Sequence, residues 1–117
     1  MYPVGLNEPI SLVGGVGGES ADGWYRLKTV WVSDATYEGP VLVRGAGLDG
    51  VSPVRFELDR NADTELRLPL SGSATTAGQD VGWRNWPSYT MVQGPGCYAL
   101  QIDGDRFSRV VTFEVVP

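Results

Sequence analysis

Three short stretches carry the side chains from which a site could be built. Trp83-Arg84-Asn85-Trp86-Pro87-Ser88-Tyr89 brings three large aromatic rings and a guanidinium close together. Trp and Tyr bury much area while keeping a polar tip, which suits them to a sugar ring or a protein partner. No clear alternation runs through the segment and Pro87 interrupts it, so it reads as an irregular loop. Trp83, Arg84, Trp86 and Tyr89 are the candidate binding residues. The competing reading makes the two indoles a plug for one end of the fold. At least one indole is expected to be partly exposed, with its neighbour tucked in as an anchor.

Asp59-Arg60-Asn61-Ala62-Asp63 has the spacing of the first three oxygen ligands of a Ca²⁺ loop. Thr64 then stands where that loop needs Gly, and Leu70 where it needs a bidentate Glu. Asp and Asn also dominate ordinary turns. A turn is expected here, and no metal site. Cys97 is the single thiol. Its neighbours Tyr98, Leu100 and Ile102 share the inward parity, so Cys97 points the other way. It reads as a small residue covered by a loop; the alternative is a thiol open to an intermolecular disulfide or a lipid.

Catalysis has little to work with. His is absent, which removes the commonest general base and zinc ligand. Cys97 has no His to activate it. Asp34, Glu38, Asp49 and Asp80 sit in turn-like contexts that single out no facing pair of the kind a glycosidase needs. No Gly-x-Ser-x-Gly occurs. Gly14 to Gly18 lacks the Lys and helix of a phosphate loop. No cofactor is expected, and the chain does not read as an enzyme.

The elements that would position these residues are strands. The chain has 117 residues, 42% of them hydrophobic, and a net charge of −5. That length gives one domain spanning residues 1–117. The charge argues against nucleic acid and anionic membrane surfaces. No apolar run reaches the ~18–20 residues of a membrane helix, and Met1-Tyr2-Pro3-Val4-Gly5 lacks the basic and apolar regions of a signal peptide. Apolar residues recur with a period of two. Val54, Phe56 and Leu58 alternate with Arg55, Glu57 and Asp59; Leu66, Leu68 and Leu70 alternate with Glu65, Arg67 and Pro69.

From Trp24 to Ser33, Tyr25, Leu27, Thr29 and Trp31 share one face and Arg26 and Lys28 the other. The end Val30-Trp31-Val32 is apolar on both sides and should be covered on both. Further strands are expected near Ile10–Val13, Pro40–Arg44, Ser88–Gln93, Cys97–Ile102 and Phe107–Val116, with residues 1–8 and 14–22 as loops. Asp-Gly pairs at Asp22, Asp49 and Asp103 mark turns, the last closing a hairpin. The pattern is an all-β sandwich of about seven to nine strands. Its core should hold Tyr98, Leu100, Ile102, Phe107, Val111, Phe113 and Val115, facing Phe56, Leu58, Leu66 and Leu68.

Gly94-Pro95-Gly96-Cys97-Tyr98-Ala99-Leu100-Gln101-Ile102 resembles the Pro-Gly-x-Tyr-x-hydrophobic opening of the penultimate strand in bacterial extracellular immunoglobulin-like domains. The resemblance implies an immunoglobulin-like antiparallel β-sandwich, in which the Pro-Gly turn enters the strand and Tyr98 anchors in the core. The run Gly39-Pro40-Val41-Leu42-Val43-Arg44-Gly45 through Leu48-Asp49-Gly50, with the last two strands, is similar more narrowly to uncharacterised domains of bacterial secreted proteins or lipoproteins. The likeness spans Gly39 to Val116 and lacks the paired cysteines of antibody domains. It implies a non-catalytic binding or structural module outside the cytoplasm, at the cell envelope. The partner would be another protein or a cell-surface glycan, and the alternative is a carbohydrate-binding module using the aromatic loop. The oligomeric state is open.

Overall fold

The computed structural model describes residues 1–6, 9–12, 22–33, 36–37, 39–70 and 83–117. Its strands are β1 (Tyr2–Val4), β2 (Ile10–Ser11), β3 (Tyr25–Ser33), β4 (Val41–Gly47), β5 (Arg55–Leu58), β6 (Asn61–Asp63), β7 (Glu65–Leu68), β8 (Arg84–Val92), β9 (Gly96–Asp103) and β10 (Ser108–Val116). They form two five-stranded sheets in the orders β1-β3-β8-β5-β6 and β2-β10-β9-β4-β7. The protein is all-β and sandwich-like, with its core between the sheets. Strand Ile10–Ser11 begins where one was expected; Val13 and the Gly14–Gly18 run lie outside the described residues.

Two expectations need correction. The described residues alone form ten strands, not seven to nine. Nor is the sandwich purely antiparallel, because β2 runs parallel to β10, with Val115 opposite Ile10. The strands not expected are β6, in the stretch read as a turn, and β1, within residues 1–8 that were expected as loop; the parallel pair is β2 with β10. Tyr2–Val4 adds to the open edge of β3, pairing Tyr2 with Val32 and Val4 with Val30. An edge strand tolerates Pro3, which cannot donate to a ladder. Gly5, at φ 112°, then turns the chain out of the first sheet. A Cβ there would stand 2.6 Å from the Lys28 carbonyl oxygen, so only glycine fits comfortably.

The inward parity follows the period-two pattern. Tyr98, Leu100, Ile102, Phe113 and Val115 are buried, as are Phe56, Leu66 and Leu68; Phe107, Val111 and Leu58 pack half-buried at the margin. Leu70 leaves the pattern, being past the end of β7 and exposed. Trp31 and Val32 are both buried, on opposite faces of β3, while Val30 is half-buried. The Tyr98 hydroxyl donates to the Gly94 carbonyl at 2.7 Å and its ring stacks on Phe113 at 5.4 Å. Burial, and then the nearby charge of Asp49, push this phenol above its usual value.

The turns divide similarly. Gly23 and Gly50 take positive φ. Gly104 does not: the β9–β10 hairpin closes through Gly104–Phe107, with the Gly104 amide donating to the Phe107 carbonyl at 2.9 Å. Asp59 and Arg60 form the two-residue turn between β5 and β6, at φ 51° and 68°. Positive φ at both positions is what a type I′ hairpin requires. The stretch read as one long turn is thus a tight turn followed by a strand.

Candidate functional site

The stretch from Trp83 to Tyr89 is not an irregular loop. Arg84–Val92 is β8, interior to the first sheet and paired along its length with β3. Pro87 fits because β5 pairs with β8 only from Tyr89 to Met91, so among the described residues β8 is an edge where Pro87 lies. Strand alternation then separates the rings. Trp86 points into the core at 3% exposure, and its indole N–H donates to the Pro69 carbonyl at 3.0 Å. Trp83 precedes the strand, half-buried. Tyr89 lies on the outer face. Trp86 and Tyr89 therefore share no surface on which a sugar could stack.

Arg84 is engaged structurally. Its guanidinium donates to the carbonyls of Leu70 and Tyr37 at 2.7 Å each, and to that of Gly39 at 3.5 Å. It also lies over the Trp86 ring at 4.9 Å. Together Arg84 and Trp86 tie two connecting segments, the one between β3 and β4 and the one after β7, to one end of the sandwich.

The outer face of the first sheet gathers more chemistry. Ladder register places Arg26, Met91 and Arg55 in one row across β3, β8 and β5, and Lys28, Tyr89 and Glu57 in the next. Arg26 bonds Glu57 diagonally and lies 4.6 Å above the Tyr89 ring. Arg55 lies 5.5 Å over Trp24. These stacked contacts hold two guanidiniums against rings. A third row, Val4, Val30 and Pro87, is apolar. Beside it runs a groove of about 250 Å³ lined by Val4, Gly5, Ile10, Leu27, Lys28 and Val30.

Arg26, Lys28, Arg55 and Glu57 were all legible as outward residues of alternating strands. Their assembly into one face was not, since it depends on the β3-β8-β5 register.

The other singled-out residues go elsewhere. Cys97 is exposed, which corrects the expectation of a loop covering it. Its partner across the ladder is Glu114, and the Leu48 amide bonds its backbone carbonyl, so the contact reaches main chain and leaves the thiol uncovered. Asp59 sits in the β5–β6 turn, Asn61 donates to the Asp59 carbonyl at 3.4 Å, and Asp63 accepts from the Thr64 amide at 2.6 Å. Asp34, Glu38 and Asp80 lie outside the described residues. Asp49 accepts from the Ser52 hydroxyl and from the amides of Ser52 and Val51, and these bonds hold its carboxyl below the usual value.

The chain matches no protein-family model, no curated protein and no solved structure.

Proposed function

We propose that this protein is a non-catalytic binding module on a variant immunoglobulin-like sandwich, working outside the cytoplasm at the cell envelope. The observation that carries the binding reading is the outer face of the first sheet. There cations pinned on aromatic rings lie beside an apolar row and its groove. Interfaces favour this mixture of Arg, aromatic and aliphatic groups.

Two features support the immunoglobulin-like reading. The first segment divides between the sheets, β1 beside β3 and β2 parallel to β10. Tyr98 also reaches back to the Gly94 carbonyl at the start of the penultimate strand, as a tyrosine corner does. The arrangement departs from the simple order between β4 and β8, where the chain visits the first sheet as β5 and β6 before β7 returns to β4. The extracytoplasmic setting rests on the sequence resemblance around Gly94–Ile102.

The test is to pan the immobilised, folded chain against random peptides and a glycan array, and to incubate it with chromogenic esters, phosphates and glycosides. Reproducible peptide enrichment without turnover is the expected result. Turnover above buffer would defeat the non-catalytic reading. Empty binding screens would reduce the protein to a structural module.

A further inference from the structure

We propose that the outer face of the first sheet docks a protein segment offering an aliphatic side chain flanked by carboxylates. This inference rests on the binding-module reading and names the partner of that face.

Charge comes first. The whole chain carries −5, yet this face presents Arg26, Lys28 and Arg55 against the single carboxylate of Glu57 in its two polar rows. Glu57 is already taken by Arg26. Lys28 and Arg55 have no carboxylate partner among the described residues. A basic patch on an acidic protein steers and orients an acidic partner, and disfavours a neutral or basic one. Arg55 is held by the Trp24 ring, so its fork loses less freedom on meeting a carboxylate.

The apolar half of the face decides between an acidic protein and an acidic glycan. The groove beside Lys28, at the open edge of β3, is walled by Val4 and Val30 of the outer face, by the inward Leu27 and by Ile10 of the second sheet. Among the described residues it has no aromatic ring for a pyranose to stack on, and the Tyr89 ring is covered by Arg26. A hydroxylated sugar would lose hydration in such a groove with nothing to replace it. A Leu, Ile or Val side chain would gain there. Lys28 belongs both to the groove and to a charged row, which fixes the spacing: the aliphatic anchor lies next to its carboxylates.

Peptides from a random phage-displayed library, selected on the intact chain, provide the probe. The best binder is then titrated by fluorescence anisotropy against wild type, Lys28→Glu, Arg55→Glu, Val4→Asp and the distant control Arg106→Glu. The selected consensus should hold an aliphatic residue between Asp or Glu. Lys28→Glu, Arg55→Glu and Val4→Asp should each weaken binding about tenfold, and Arg106→Glu should leave it unchanged. Lys28 and Val4 are exposed, so those two variants keep the test open if Arg55→Glu disturbs the fold.

Equal weakening by Arg106→Glu would reduce the effect to net charge and overturn the proposal. So would a consensus without acids, or heparin binding that depends on Lys28 and Arg55 where no peptide does. Peptides that bind but ignore all three face variants would sink this surface and leave the binding-module reading standing. A library yielding no binder and a bare glycan array would sink both.

Discussion

Trp31 and Trp86 stand directly opposite each other across the β3–β8 ladder, both turned inward, and only Trp86 has a partner for its indole N–H. Trp31 is the more deeply buried, at 0% exposure against 3%, and its Nε1 is unbonded among the described residues. Burial alone would rank Trp31 as the more important ring; hydrogen bonding reverses the order. Trp86→Phe should cost about 2–4 kcal/mol, through lost volume, an abandoned Pro69 carbonyl and a weaker seat for Arg84. Trp31→Phe should cost about 1–2 kcal/mol, because removing an unsatisfied buried donor offsets part of the lost volume. Urea melts of the two variants side by side check the ranking.

Phe113 closes the core against Tyr98. Phe113→Ala should destabilise by about 3–5 kcal/mol. Tyr98→Phe keeps the stack and loses only the hydroxyl bond to Gly94, so it should cost about 1 kcal/mol. Unchanged thermal stability in Phe113→Ala would show that the parity assigned to β10 is wrong.

Arg60 holds a left-handed backbone at φ 68° without being glycine. The left-handed region costs an ordinary residue roughly 1–2 kcal/mol. Arg60→Gly relieves that cost and loses part of the gain to the greater freedom of the unfolded chain. A net stabilisation of about 0.5–1 kcal/mol is expected, read as a higher urea midpoint at unchanged slope.

Acid should weaken the fold in a defined way. Asp103 accepts hydrogen bonds from the Ser108 hydroxyl at 2.6 Å and the Gln101 amide at 3.1 Å, and pairs with Arg44. These contacts, Ser108 foremost, hold its folded-state pKa below the ordinary value of 3.8. A depressed carboxyl contributes stability above its unfolded pKa and loses it as pH falls through that value toward the folded one. Melting temperature should therefore drop as pH falls below about 5, through the ordinary carboxylate range. Ser108→Ala should flatten the drop by returning Asp103 toward its unfolded behaviour. Ser52→Ala should act in the same direction through Asp49.

How much of this was visible beforehand depends on what each residue had to reveal. Tyr98, Leu100 and Ile102 disclose their facing by alternation, because one side of β9 is buried and the other wet. Pro87 misled, since a proline argues against an interior strand. Only the early end of β5, two residues along the ladder from Pro87, makes room for it, and no local pattern encodes where a distant strand stops. Tyr2–Val4 is too short to alternate and takes strand form only because β3 offers an edge. The outer face was half legible: Arg26, Lys28, Arg55 and Glu57 were read as outward, but their adjacency is a property of the register.

The parallel pairing of β2 with β10 has a mechanical consequence. If the two ends of the chain are pulled apart, the N-terminal segment is drawn backward along its strand and β10 forward along its own. Neighbouring strands that point the same way then slide in shear, so their cross-links resist together instead of peeling one after another. The Leu12 amide to Val116 carbonyl bond at 3.0 Å and the Ser11 hydroxyl to Pro117 carbonyl bond at 3.3 Å lie in that clamp. With only Ile10 and Ser11 in β2, the clamp is short: under tension it should yield before the long β9–β10 and β3–β8 ladders, letting the first segment extend while the two sheets remain stacked.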